Sequence, residues 1–262
     1  MSSITLGADI ELVAHENNKL RSVVGLIGGS KEKPLPVVGG NLQEDNVLAE
    51  YAIDPVRTED EWVESILSVQ DQLRLKLGNL ELAAMPSARY PDEELVTKQA
   101  KTFGCEPDMN AWEMMMNPAP DVDEVGNLRT CGGHIHVGYE AQDDIDRAML
   151  IHWMEIYLGL PSVLLDPDRD RRGVYGKAGS CRFKPYGVEY RTLSNFWTTD
   201  AGLIRWAYNQ THKAYQRHTQ EAVTDLLSVE HCQAIQDTIN RGDVEQAKAF
   251  MNMLEVEYDD VG

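Results

Sequence analysis

The stretch Ile4-Thr5-Leu6-Gly7-Ala8-Asp9-Ile10-Glu11-Leu12 decides the fold. In an extended chain residues two apart share a face, so Ile4, Leu6, Ala8, Ile10 and Leu12 make one apolar face, and Asp9 and Glu11 project together from the other. That alternation predicts a strand lying on a core, with a polar second face of the kind antiparallel sheets allow. Asn17-Asn18 is a turn signal, and a hairpin partner is expected over 20–26.

Three further segments repeat the design. In Cys131-Gly-Gly-His-Ile-His-Val-Gly-Tyr139 the apolar Ile135, Val137 and Tyr139 alternate with His134 and His136, and Gly132 and Gly138 leave room for a ligand to approach the backbone. In Tyr186-Gly-Val-Glu-Tyr-Arg-Thr-Leu193 one face carries Glu189 and Arg191. In Val47-Leu-Ala-Glu-Tyr-Ala-Ile-Asp54 the lone carboxylate Glu50 interrupts an apolar run, preceded by Gln43, Glu44 and Asp45. One exposed acidic pair is ordinary. A surface holding Asp9, Glu11, Glu50, His134 and Glu189 repels itself unless cations neutralise it, and oxygen ligands with an imidazole or two suit Mg2+ or Mn2+.

A local reversal of charge adds a second signal. From 166 to 191 seven basic residues (Arg169, Arg171, Arg172, Lys177, Arg182, Lys184 and Arg191) stand against four acidic ones, a net +3 in a chain of net charge −19. Arginine forks beside a metal-bearing surface suit a polyphosphate. Gly173-Val-Tyr-Gly-Lys-Ala-Gly179 lacks the spacing of a phosphate loop, and Ala178 follows Lys177 where a hydroxyl would be needed, so it reads as a flexible glycine loop. The glycine-rich segment 28–40 reads either as a mobile lid or as a plain surface loop.

The remaining chain reads as helices that build the core. Thr58-Glu-Asp-Glu61 is a capping box opening a helix with Trp62, Ile66, Val69, Leu73 and Leu77 at helical spacing and Gly78 as its stop. Further helices are expected over 91–103, from Asp143 or Asp144 to Pro161, over 200–227, and as a short pair over 229–240 and 243–255, with a fraying acidic C-terminus. Cys105, Cys131, Cys181 and Cys232 show no paired spacing and read as reduced, packed thiols.

Composition bounds the rest. The chain has 262 residues, 42% hydrophobic and 26% charged, which fits one domain over 1–262 with a helical region from about 200. With 43 acidic against 24 basic residues it disfavours nucleic acid as a partner. No unbroken apolar run or leader pattern indicates a membrane span or export, so a cytoplasmic protein is expected.

The order GADIEL, DNVLAEY, GGHIHVG, GVEYRTLSNFW resembles the carboxylate–amine ligase superfamily that includes glutamine synthetase and glutamate–cysteine ligase, and most of all the phage-associated COOH-NH2 ligase type 2 group. The resemblance spans roughly residues 4–200. It implies an α+β fold in which a curved, mostly antiparallel sheet carries the active site on its concave face and helices back it. It implies ATP and Mg2+ (or Mn2+) as cofactors, metal ligands Asp9, Glu11, Glu50, His134 and Glu189, and His136 facing the nucleotide phosphates. Arg182, Arg172 and Lys177 fall where phosphate-binding basic residues stand, and Arg191, Arg182 and Glu50 would serve catalysis. The activity implied is amide formation through an acyl phosphate, from a small-molecule or peptide carboxylate and an amine, in the host cytoplasm if the chain is phage-encoded. Relatives often form rings, so a homo-oligomer is among the expectations. Two other readings remain: a metal-dependent hydrolase on the same His/carboxylate surface, which leaves the basic residues idle, and a non-catalytic structural relative.

Overall fold

A computed structural model describes residues 4–101, 108–118 and 125–257. The opening stretch forms β1 (Thr5–Glu16), with Leu6, Ala8, Ile10 and Leu12 buried and Asp9 and Glu11 on the opposite face. The other strands are β2 (Lys19–Arg21), β3 (Leu35–Val37), β4 (Gly40–Asp45), β5 (Leu48–Ile53), β6 (Glu81–Ala83), β7 (Ser87–Arg89), β8 (Met109–Asn110), β9 (Met115–Met116), β10 (Leu128–Thr130), β11 (Gly133–Gly138), β12 (Ser180–Lys184) and β13 (Gly187–Tyr190).

The main sheet runs β3-β4-β5-β1-β11-β13-β12-β8-β9, with β2 and β6 paired to the far half of β1, while β7 and β10 form a separate ribbon. Every described pairing is antiparallel. The protein is therefore α+β with a large antiparallel sheet, as expected. Asn17 and Asn18 take positive φ (51° and 61°) and turn β1 into β2. The hairpin is shorter than the sequence suggests, because beyond Arg21 the Ser22 amide turns to the Glu94 carboxylate, the Val23 amide to the Val47 carbonyl and the Gly25 amide to the Glu44 carboxylate.

Helices cover the apolar face of the sheet. In α1 (Glu59–Leu77) Thr58 accepts from the Glu61 amide while Glu61 accepts from the Thr58 amide, so the capping box is present. Trp62 stacks on Trp197 at 5.7 Å and donates its indole N–H to the Ile204 carbonyl, tying α1 to the chain that follows the last strand. The 91–103 helix is not continuous. A short turn at Asp92–Glu94 ends at Leu95, and Thr97 restarts the chain as α2 (Lys98–Lys101) by accepting from the Ala100 amide. Its predicted end at Phe103, the stop Gly104 and Cys105 lie outside the described residues, as do the last five of the acidic C-terminus.

Asp143 caps α3 (Asp144–Met154). The chain then passes through one wide turn, Glu155–Gly159, into α4 (Leu160–Leu165), continuing beyond the predicted stop at Pro161. Pro161 follows directly on the wide turn, where the regular i→i−4 ladder is already interrupted. This 144–165 stretch is the one described helix long and apolar enough to cross a membrane, and 78% of its apolar window is buried inside the protein. After α5 (Asp170–Val174), α6 (Ala201–His218) stops short of the predicted 227, and the Glu221 carbonyl beyond it is taken by the Trp153 indole. The chain then forms α7 (Val223–Leu226), and α8 (Val229–Arg241) and α9 (Val244–Met253) are the predicted closing pair. The large core lies between these helices and the sheet. A smaller cluster on the other face, with Val13, Tyr90, Leu95 and Cys131, packs beside the polar cavity.

Candidate active site

The register assembles the polar face pair by pair. Asp9 stands opposite His134, Glu11 opposite Glu50, His136 opposite Glu189, Glu189 opposite Arg182, and Gln43 opposite Glu50. Six neighbouring strands, β4-β5-β1-β11-β13-β12, thus deliver side chains to one cavity of about 220 Å3. Of the sequence-predicted residues, Asp9, Glu11, Glu50, His134, His136, Arg182, Glu189 and Arg191 line it together.

Two predicted phosphate binders do not. Arg172 is buried elsewhere, its guanidinium donating to the backbone and hydroxyl oxygens of Ser162 and lying 3.9 Å from Asp166. One guanidinium nitrogen makes all of these contacts, and the buried head group does not reach the cavity. Lys177 is exposed outside the cavity lining. Nor is the glycine loop free: the Ala178 amide donates to Asn240 and the Gly179 amide to Glu155.

Two sets of ligand atoms converge within 4.8 Å, Asp9 with His136 and Glu189, and Glu11 with Asp45 and Glu50. His134 belongs to neither, which changes the division expected of the two histidines. Its ring is buried, Nδ1 lies 2.7 Å from Asp9, and Nε2 points beneath the backbone at Gly132, where a Cβ would come within 2.2 Å. Burial and the nearby Arg191 push His134 down to about 3, so the ring is neutral and donates to Asp9. Burial alone would raise Asp9, but His134 and His136 outweigh it and hold the carboxylate well below its usual range.

The second set lacks such support. Burial, then Asp45, pushes Glu11 up to about 8, although the Gly132 amide donates to it at 2.5 Å. Burial and three neighbouring carboxylates push Glu50 far up, and burial also raises Asp45. Gln43 donates to Glu50 at 2.7 Å without cancelling the effect. Like charges so placed require protons or a cation, and an all-oxygen donor set fits a hard divalent ion.

The basic half sits beside the first set. Glu189 receives Lys184 at 2.8 Å, Arg182 at 3.4 Å and the Arg191 guanidinium. Arg191 also contacts the Tyr175 hydroxyl and lies 3.6 Å from Asp108, with its guanidinium 5.3 Å from the Tyr175 ring centre. Lys184, Lys31, Asp45, Gln43 and Tyr175 are lining residues the sequence did not single out as site residues. Asp45 and Gln43 were signalled by their nearness to Glu50, and Lys31 places one residue of the 28–40 segment at the cavity. Tyr175 belongs to the 173–179 glycine loop, which thereby reaches the cavity through this side chain. Cys131 and Cys181 are buried, and burial pushes both thiols up, as packed thiols require.

Residues 127–254 match the family described as Phage phiEco32-like COOH.NH2 ligase-type 2. The resemblance read from the sequence holds over this span, which contains GGHIHVG and GVEYRTLSNFW, whereas GADIEL and DNVLAEY precede it. Comparison with curated proteins found no match. Among solved structures, a bifunctional glutathione synthetase from Pasteurella multocida is similar with a TM-score of 0.44 at 10% identity, over 97% of this chain and 49% of that one. The chain thus spans about half the length of that enzyme.

Proposed function

We propose that the protein is an ATP- and Mg2+-dependent carboxylate–amine ligase on a glutamine synthetase-like sheet. The family match supports the ligase class, and one observation carries the finer reading: a single cavity joins two acid-rich donor sets to Arg182, Lys184 and Arg191. A hydrolase using the same acids has no use for that basic half. Asp9, His136 and Glu189 would hold one divalent ion and Glu11, Asp45 and Glu50 a second. Bound there, such ions supply Lewis-acid charge to phosphoryl and carboxylate oxygens.

Arg182 and Lys184 bind phosphate oxygens of ATP, and Arg191 orients the acceptor carboxylate or the phosphoryl group being transferred. An acceptor oxygen attacks the γ-phosphorus and ADP leaves, giving an acyl phosphate. The amine nitrogen then attacks the acyl carbon, phosphate departs, and a cavity carboxylate takes the amine proton. Acceptor and amine are small-molecule or peptide compounds. Screening carboxylate and amine pools for Mg2+-dependent ADP release tests this. Release that requires both substrates is expected, while acceptor cleavage without ATP or amine would favour the hydrolase.

A further inference from the structure

Glu155 is a fully buried carboxylate (0% exposed) on the helix side of the sheet, away from the cavity. An unpaired carboxylate in such a place would be strongly destabilising, so its partners indicate what it is for. Its Oε1 accepts from the Gly179 amide, at 2.6 Å, and from the Thr192 hydroxyl, and the Tyr190 hydroxyl interacts with the same carboxylate. Gly179 immediately precedes β12, and Thr192 lies two residues beyond β13. Strand alternation sends Tyr190 and Thr192 to the helix side and Glu189 and Arg191 to the cavity. Between the two gripped residues runs the last rung of the pair, from the Arg191 amide to the Ser180 carbonyl at 2.9 Å.

Two features are shaped around this carboxylate. Glu155 opens the wide turn, where the Leu160 amide reaches back five residues to the Glu155 carbonyl. Wide turns of this kind recur at functional sites. Gly159 closes the turn, and a Cβ there would lie 2.2 Å from Glu155 Oε2 and 3.1 Å from the Tyr190 hydroxyl. The buried Arg171 holds the chain just beyond β13 as well, through the Arg191 carbonyl at 3.1 Å and the Thr192 carbonyl at 2.7 Å.

We propose that Glu155 is a positioning residue that clamps the start of β12 to the end of β13 from behind and thereby fixes Arg191 in the cavity. The link to turnover rests on the ligase reading; the link to Arg191 geometry does not. Burial pushes Glu155 up to about 7, against the pull of Thr192 and Gly179, and glutamine mimics its protonated form with both acceptor bonds intact.

The test uses the full chain as Glu155→Gln, Glu155→Met and Thr192→Val. With [15N]arginine, the Arg191 Nε–Hε signal is identified by its loss in Arg191→Lys, and its exchange with solvent is measured. Slow exchange is expected in wild type and Glu155→Gln, and exchange at least about tenfold faster in Glu155→Met and Thr192→Val. In the ADP-release assay Glu155→Met should lower kcat about tenfold with the KM for ATP nearly unchanged, and should have almost no further effect once Arg191 is lysine. Unchanged Arg191 exchange in either folded variant overturns the proposal, as does an equal kcat loss in the Arg191→Lys background. If Glu155→Met does not fold, Thr192→Val decides, since it removes one hydroxyl. If wild type releases no ADP, the ligase reading fails and the exchange measurement alone judges the clamp.

Discussion

Arg191 occupies the point where the two halves of the cavity meet, touching Glu189, Tyr175 and the surroundings of His134. Lysine keeps the charge but loses the fork, so Arg191→Lys should lower kcat by roughly 10²-fold or more, the scale of losing one preorganised donor. ATP affinity should change far less, and a kcat within about threefold of wild type would make Arg191 a mere partner of Glu189. The histidines separate by geometry. His136→Ala should weaken Mn2+ binding in calorimetric titration, because its ring nitrogen converges with Asp9 and Glu189. His134→Ala should chiefly lower the melting temperature by removing a buried hydrogen bond and ring. Equal loss of Mn2+ affinity in the two would refute the split. Glu11→Gln should abolish turnover and yet melt higher than wild type in metal-free buffer at pH 8, since it deletes a charge that burial and Asp45 oppose. A lower melting temperature there would mean that Glu11 is stably paired.

At the scale of elements, the strands and their polar faces were legible because a period of two leaves a plain record in sequence: β1, β11 and β13 fall where alternation puts them, and β5 where an apolar run is broken by Glu50. What alternation cannot give is register. That Glu11 meets Glu50, and that His136 rather than His134 meets Glu189, follows from which strands are neighbours. The basic segment misled for a related reason: charge tells that guanidiniums exist, and only packing tells that Arg172 is spent on Ser162 and Asp166. Helix ends set by local chemistry were readable, as at Thr58, and those set by distant partners, as where Trp153 takes the Glu221 carbonyl, were not. The wide turn at Glu155–Gly159 left no local signal, yet it predicts a result. Gly159→Ala forces a methyl onto the Glu155 carboxylate, so it should destabilise by about 1–3 kcal/mol as an overpacked site does, measured by urea unfolding, where a helical alanine elsewhere would stabilise. A neutral or stabilising outcome would mean the turn has slack.

The whole molecule carries net charge −19 and concentrates three of its carboxylates at Glu11, Asp45 and Glu50. Its folded state should therefore depend on divalent ions and on pH together. Glu11 binds its proton more tightly folded, at about 8, than its ordinary value of 4.5. A group raised in this way contributes its full stability below the lower value and loses it as pH climbs through the upper one, so the metal-free protein should melt progressively lower from about pH 5 to pH 8. A divalent ion replaces the missing proton. At a free concentration 100 times its Kd one ion adds about 2.7 kcal/mol, which for a chain of this size is roughly 5–10 °C in Tm. The Mg2+ increment should be larger at pH 8 than at pH 6, where the ion must first displace the proton from Glu11. Melting in EDTA and in Mg2+ at both values, with NaCl matched for ionic strength, reads this directly. An equal increment from NaCl would reduce the effect to screening of the overall charge. An Mg2+ increment that shrinks as pH rises would show that the carboxylates at Glu11, Asp45 and Glu50 are not where the ion binds.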